Sequence, residues 1–248
     1  MVNHNYLFVE WSDDKSGMLA TSFKIGQRNL NTIQLVNVTK LQFGNCYRRA
    51  THHGSKFTAL DKVRAKIFAR LISMPVQLKY LSLENFQWLL YVIENAFDDL
   101  RENVLSTVQH AEFGIPSCNL GNYESIYVGK HLVPFLNGYM PHLQTLCLWR
   151  PDDFPWTSIR SNLKAGRYNS LLTRRWLQYL RTPQSINEHV TVFEQDLCQL
   201  FEGLKQFVFL NIYGTIPVEK FEPYRLMTQC RFPNSQFDIQ ISRFRLWI

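Results

Sequence analysis

Residues 140–148 read Met-Pro-His-Leu-Gln-Thr-Leu-Cys-Leu, and this stretch decides how the rest of the chain is interpreted. Its leucines have the spacing L-x-x-L-x-L. The same spacing occurs in residues 74–83, MPVQLKYLSL, and in residues 204–212, LKQFVFLNI, where Phe and Ile replace two leucines. Residues 233–241, PNSQFDIQI, form a degenerate fourth copy. This spacing is typical of the strand of a leucine-rich repeat. It predicts an α/β solenoid in which short parallel strands alternate with helices.

The distances between copies indicate further repeats. Leu78, Leu143 and Phe207 occupy the same slot and are 65 and 64 residues apart, and Gln236 follows 29 residues later. One leucine-rich repeat has 20–29 residues. We therefore expect each long step to hold two repeats, with a degenerate strand between them. Leu105-x-x-Val108, which lies before His110 and Phe113, is one candidate for a missing strand, and no convincing candidate exists near Trp176.

Helical patterns separate the strands. A capping box at Ser185-x-x-Glu188 predicts the start of one helix, and apolar residues at helical spacing predict another over residues 85–100. The first sixty residues are less regular, with a short strand at residues 6–11 and at most one repeat at residues 30–43. We expect an irregular N-terminal segment or capping region at residues 1–56 and a leucine-rich-repeat-like domain at residues 57–248.

Strand alternation predicts which side chains form a binding face. Successive side chains of a strand point to opposite faces, so the residues between the inward leucines point outward. In a solenoid these positions line a concave sheet, the usual binding surface. Large aromatic residues there are typical interface anchors. The alternative is that loops or the chain end cover them. The outward positions are Tyr80, Ser82 and Glu84, then Thr145, Cys147 and Trp149, then Phe209, Asn211 and Tyr213, and then Asp238, Gln240 and Ser242.

A proline-flanked loop, Pro151–Pro155, follows the predicted strand that carries Trp149. Prolines stiffen a segment and reduce its ordering cost, so the loop with its two adjacent carboxylates is expected to be a recognition element. Adjacent carboxylates in such a loop rarely converge on one ligand, which disfavours the metal or acid–base alternative. The candidate partner-binding residues are Tyr80, Glu84, Trp149, Asp152, Asp153, Trp156, Asn211 and Tyr213.

Motifs for chemistry are weak. A zinc site at His52-His53 is disfavoured because no third ligand follows at helical or turn spacing. His110 and Cys118 could pair as base and nucleophile, but the sequence offers no third group to orient the base. No nucleophile elbow, zinc-protease, Walker or dinucleotide-binding motif occurs. We expect no catalytic residue, no metal and no cofactor, and an enzyme of unknown type is the third hypothesis.

A basic stretch supports a second hypothesis, a nucleic-acid-binding protein. No acidic residue occurs between Phe154 and Asn187, and aromatic residues are interleaved with the cations. Aromatics beside cations suit single-stranded nucleic acid, by stacking and phosphate neutralisation. The alternative is a helix exterior with the aromatics packed inward. The residues are Arg160, Lys164, Arg167, Arg174, Arg175 and Arg181.

Composition and cysteine usage set the class of protein. The chain has 248 residues, of which 46% are hydrophobic, enough for a core, and a net charge of +7 favours acidic partners. Five widely spaced cysteines without a CxxC pair fit neither a disulfide framework nor a zinc site, so the cytoplasm or nucleus is expected. We see no secretory signal and no apolar run long enough for a membrane span.

The repeat segments resemble the leucine-rich-repeat region of F-box proteins, the substrate receptors of cullin-type ubiquitin ligases. Residues 143–160, LQTLCLWRPDDFPWTSIR, and 232–248, FPNSQFDIQISRFRLWI, are similar to uncharacterised proteins of that kind. The resemblance covers about residues 71–248 and implies a non-enzymatic protein-binding module, with a ubiquitin-ligase adaptor as a possible second partner. The Leu-Pro-x-Glu start of an F-box does not occur before the repeats, so no adaptor-binding residue is transferred.

Overall fold

The computed structural model describes residues 6–10, 24–25, 28–29, 38–44, 59–75, 77–117, 123–151, 155–157 and 178–248. The chain divides into two compact units, residues 1–114 and 115–248, and both are α/β. The α/β class is therefore confirmed. The boundary between the two compact units follows Gly114. The domain boundary expected after residue 56 stays a prediction.

The first unit contains a parallel four-stranded sheet. Its strands run in sequence order, and all three neighbouring pairs are parallel. A two-stranded antiparallel pair lies between the first two of them in the chain. The strands are β1 (Tyr6–Glu10), the short pair β2 (Lys24–Ile25) and β3 (Arg28–Asn29), then β4 (Lys40–Gly44), β5 (Tyr80–Leu83) and β6 (His110–Gly114).

Two helices pack on one face of this sheet, α1 (Ala59–Ser73) and α2 (Phe86–Ala96). Ring centroids are 4.4 Å apart for Phe43 of β4 and Phe68 of α1, and 5.2 Å apart for Phe86 of α2 and Phe113 of β6. Asn85 caps α2, because its side chain accepts a hydrogen bond from the backbone N–H of Gln87. Two 3₁₀ turns, Phe97–Asp99 and Val104–Thr107, connect α2 to β6.

The second unit contains a mixed four-stranded sheet in the order β7-β8-β10-β9. Strands β7 (Thr145–Trp149) and β8 (Phe209–Tyr213) are parallel. Strands β9 (Gln236–Gln240) and β10 (Arg243–Trp247) form a hairpin, and β10 pairs antiparallel with both β8 and β9. The hairpin therefore ends the parallel pattern.

Three helices accompany this sheet, and a cluster of aromatic rings connects two of them to it. The helices are α3 (Tyr123–Tyr139), α4 (Pro183–Gly203) and α5 (Phe221–Arg231). Phe193 of α4 lies 5.1 Å from Phe244 of β10 and 5.2 Å from Tyr224 of α5, measured between ring centroids. Both helices therefore pack on the face of the sheet that carries Phe244. In the part of the chain described, no helix has the length and apolar character to cross a bilayer.

The repeat predictions have mixed outcomes. The first long step does hold a second strand, since β6 pairs with β5. The strand begins at His110, whereas Leu105 of the candidate spacing lies in the 3₁₀ turn Val104–Thr107. In the second long step no strand separates β7 from β8 in the sheet, because these two are direct hydrogen-bonded neighbours; residues 158–177 of this step lie outside the described ranges. The fourth copy is a strand, β9, but the prediction of a parallel repeat there is wrong because β9 belongs to an antiparallel hairpin.

The helix predictions also differ in detail. The helix expected over residues 85–100 is confirmed as α2, which ends at Ala96. The capping box at Ser185 is wrong. The side-chain oxygen of Thr182 accepts the hydrogen bond from the backbone N–H of Ser185 at 3.2 Å, and Pro183 starts the helix. Proline at the first helical position costs nothing because its missing N–H would have no intrahelical partner there.

Candidate functional site

The outward face of the second unit is the surface made by side chains of β7, β8, β10 and β9 that point away from α4 and α5. Strand register arranges its twelve positions in three rows. The row at one end is Thr145, Phe209, Trp247 and Gln236; the middle row is Cys147, Asn211, Arg245 and Asp238; the row at the other end is Trp149, Tyr213, Arg243 and Gln240. Six of the twelve outward positions are therefore aromatic residues or arginines.

The row of Trp149, Tyr213, Arg243 and Gln240 contains a three-member stack. The rings of Trp149 and Tyr213 are parallel within 9°, with centroids 3.9 Å apart. The guanidinium carbon of Arg243 lies 4.8 Å from the centroid of Tyr213, within cation–π distance. Trp149 is nevertheless 48% exposed. The stack therefore holds a large amphipathic surface in a fixed geometry on the outside of the sheet.

The opposite row repeats the arrangement. Phe209 and Trp247 stack with centroids 5.0 Å apart, and Trp247 is 36% exposed. Arg245 from the middle row lies with its guanidinium carbon 5.4 Å from the Trp247 centroid. Arg245 also donates to a carboxylate oxygen of Asp238, with its Nε 3.0 Å away. Its charge is therefore compensated on the face itself.

Asn211 lies between the two aromatic pairs. It is only 7% exposed, and its amide nitrogen donates to the sulfur of Cys147 at 3.7 Å. Its side-chain oxygen is buried and has no hydrogen-bond partner among the described residues. Asn211 was expected to contact a partner, and its burial by neighbouring side chains leaves little of it at the surface.

Two of the predicted contacts, Tyr80 and Glu84, lie in the first unit. Tyr80 is half-buried on β5, where its hydroxyl donates to Glu112 at 2.5 Å and the amine of Lys40 lies 4.1 Å from its ring centroid. Glu84 follows β5 and is exposed. Tyr80 is thus already engaged by a neighbouring acid and base within its own sheet.

Trp156 is not a partner contact. It is 1% exposed, and its ring lies 6.3 Å from that of Phe193 in the core of the second unit. A side chain at Gly129 of α3 could not be accommodated, because a Cβ there would lie 1.7 Å from the carbonyl oxygen of Trp156. The loop segment 155–157 is therefore packed inward against α3 and α4, which corrects the expectation that Trp156 belongs to an exposed recognition element.

A buried carboxylate on α4 holds this segment. Asp196 accepts hydrogen bonds from the backbone N–H groups of Trp156 and Thr157, at 3.1 and 3.0 Å, and from the Thr157 hydroxyl at 2.6 Å. Burial raises the pKa of Asp196 to about 6, even though these hydrogen bonds and the charge of Arg150 act to lower it. The cost of burying the charge therefore exceeds what its partners return.

A second buried polar contact joins α4 to the 3₁₀ turn Val218–Lys220. The amine of Lys220 lies 3.0 Å from Nδ1 of His189, and both side chains are buried. The pair lies in the interior and fixes the approach of the turn to α4. Within the described ranges, no group of three or more His, Cys, Asp or Glu side chains is placed to hold a metal ion.

The remaining predicted residues lie mostly outside the described part of the chain. The residues outside the described ranges include Asp152 and Asp153, and also His52, His53 and Cys118. So does the basic stretch except for Arg181, which is exposed in the turn before α4. The residues of that stretch outside the description are Arg160, Lys164, Arg167, Arg174 and Arg175.

The sequence reasoning missed three residues of the outward face, Arg243, Arg245 and Trp247. The signal was present, since residues 243–247 read Arg-Phe-Arg-Leu-Trp and alternate polar or amphipathic with apolar. The leucine spacing drew attention to β9 instead, because β10 has no L-x-x-L-x-L pattern. An antiparallel hairpin needs only the alternation.

We compared the chain with protein-family models, with curated proteins and with solved structures, and none matches.

Proposed function

We propose that the chain is a non-enzymatic protein-binding module that uses the outward face of its second unit. The observation that carries this proposal is the stacked pair of Trp149 and Tyr213, whose rings are parallel within 9° and which leaves nearly half of Trp149 exposed. Exposed tryptophan and tyrosine are the residues that most often dominate binding energy at protein interfaces, because they supply large contact area with few rotatable bonds.

A solenoid related to leucine-rich repeats is the architecture that we propose for this module. In its support, β4, β5 and β6 pair in sequence order, with α1 and α2 on one face of the sheet. Doubly wound α/β proteins place helices on both faces, whereas solenoids keep them on one and bind with the other. The resemblance to F-box receptors extends the proposal to a role in substrate recognition for ubiquitin ligation, in the cytoplasm or nucleus.

The test is affinity purification of the tagged chain from its own cells, with and without nuclease. The variant carries both Trp149→Ala and Tyr213→Ala. The control is Phe97→Ala, which removes an aromatic side chain that is 57% exposed in the first unit. We expect the wild type and the control to capture the same proteins and the double variant to lose them. Each captured protein, once purified, should bind the purified wild-type chain.

Other results would decide against the proposal. If captured proteins are equally retained by the double variant, the outward face is not the binding surface. Material that disappears with nuclease and ignores the double variant would favour the nucleic-acid alternative through the Arg160–Arg181 stretch. Turnover of a captured small molecule would favour the enzyme alternative.

A further inference from the structure

We propose that the outward face recognises an acidic segment of a partner protein, and that Arg243 binds its carboxylate while Trp149 contacts the neighbouring apolar side chain. This inference rests on the proposed function and specifies the chemistry of the partner.

The two arginines of the outward face differ in whether a carboxylate on the face neutralises their charge. Arg245 forms an ion pair with Asp238. Among the described residues, Arg243 forms no ion pair, and its Nε is buried without a hydrogen-bond partner. The three charged side chains on the twelve outward positions are these two arginines and Asp238. The face therefore has one cation in excess, and that cation is Arg243.

The position of Arg243 is fixed before any partner binds. Its guanidinium lies on Tyr213, and Tyr213 in turn stacks on Trp149. Stacking restrains the long side chain and weakens its hydration, so little conformational entropy remains to be lost when a carboxylate binds the guanidinium in bidentate fashion. Successive side chains of an extended chain alternate, so when a carboxylate lies on Arg243 the side chain two positions along the partner faces the same way and would reach towards the exposed ring of Trp149, two strands away.

The charge balance favours a carboxylate of a protein over the phosphates of a nucleic acid. Nucleic-acid binders neutralise several phosphates with several cations. Here a single guanidinium is uncompensated, and Asp238 on the same face would repel a second phosphate. Asp238 is further tied to the face by the side-chain amide of Gln240, which donates to it at 2.9 Å. One acidic group beside an apolar one is what the face complements.

The test is selection of short random peptides, displayed on phage, against the purified full-length chain. We expect the selected peptides to be enriched in Asp or Glu two positions from a large apolar residue, because these two side chains of an extended peptide face the same way. In one synthetic selected peptide, changing the acid to its amide should weaken binding to the wild type about tenfold or more. The same change should have little effect on binding to Arg243→Gln. A double variant, Asp238→Asn with Arg245→Gln, removes the compensated pair and should keep the full tenfold dependence.

The outcomes separate this inference from the proposed function. Peptides that need Trp149 but show no dependence on their acid would overturn the role of Arg243 and leave the proposed function in place. Equal acid dependence in the wild type and Arg243→Gln would do the same. If no selected peptide depends on either Trp149 or Arg243, both proposals are wrong. Binding of a short oligothymidylate through Arg243, with no peptide bound, would replace the carboxylate by a phosphate backbone.

Discussion

The two faces of the sheet in the second unit are made by the same strands and differ in what their side chains do. The inward positions of β7, β8 and β10 are aliphatic or phenylalanine residues, all of them fully buried under helices. Six of the nine outward positions of the same strands are aromatic or arginine residues, and Trp149 is half exposed. Burial of apolar area stabilises the inward face within the chain, whereas the outward face leaves such area available to a partner.

The largest expected effect separates two tryptophans seven residues apart. Trp156→Ala should destabilise the fold by about 3–5 kcal/mol, since it empties a packed site beside Phe193. Trp149→Ala should change stability by about 1 kcal/mol or less, because half of its surface is already in water. Urea unfolding of both variants measures the difference. Similar losses for the two variants would mean that the two faces are not energetically distinct.

The next effect is a dependence of stability on pH that comes from Asp196. Its folded-state pKa of about 6 lies above the ordinary value of 3.8, so the protonated acid is favoured in the fold. Its contribution to stability is therefore fully present below about pH 4 and is lost as the pH rises through 6. The corresponding free energy is about 3 kcal/mol.

The measurement is the free energy of unfolding of the wild type and of Asp196→Asn from about pH 4 to pH 7. Because other groups titrate equally in both proteins, the difference between them isolates Asp196. We expect the wild type to lose about 3 kcal/mol relative to the variant across this range. A difference that stays constant, or that changes in the opposite direction, would contradict the burial of a charged Asp196.

A smaller effect concerns the outward face by itself. The stack of Trp149 and Tyr213 should contribute a coupling free energy of about 0.5–1.5 kcal/mol to folding. A double-mutant cycle with Trp149→Ala and Tyr213→Ala, followed by urea unfolding, measures it. Purely additive losses would show that the two rings do not restrain each other, and would remove the argument that the face is pre-organised.

The smallest effect is that of the ion pair between Asp238 and Arg245. Both side chains are about a third exposed, so the pair should be worth about 1 kcal/mol or less and should weaken as salt is added. A cycle with Asp238→Asn and Arg245→Gln at two salt concentrations checks this. A large, salt-independent coupling would mean that the pair is sequestered from solvent, and the face could not then be described as solvent-accessible.

The sequence allowed the strand positions and faces to be predicted more reliably than the strand directions. Alternation placed Trp149, Tyr213 and Asp238 on one face, and the register confirms that they share it. Alternation is the same in parallel and antiparallel strands, however, so the leucine spacing at β9 could not reveal the hairpin. The turn that joins β9 to β10 is Ile241-Ser242, without the Gly, Asn or Asp that usually signals a hairpin.

Burial in the loop after β7 could not be predicted for a different reason. Trp156 follows two prolines and two aspartates, a composition typical of an exposed loop. Its burial depends on Asp196, forty residues later, and on the lack of a side chain at Gly129. Contacts between distant residues of this kind leave no periodic signal in the sequence. The uncompensated charge of Arg243 was hidden likewise, because it depends on which strand pairs with β10.

The measurement that tests the central claim most directly is site-specific photo-crosslinking in cells. A photoreactive phenylalanine replaces Gln240, an exposed outward position paired with Arg243, in one version of the chain and Val218, which is 71% exposed in the same unit, in another. If the outward face binds a protein, the probe at position 240 crosslinks one defined protein, the probe at 218 does not, and Arg243→Gln lowers the yield. Equal crosslinking from both positions, or crosslinks from 240 to nothing but nucleic acid, would contradict the account.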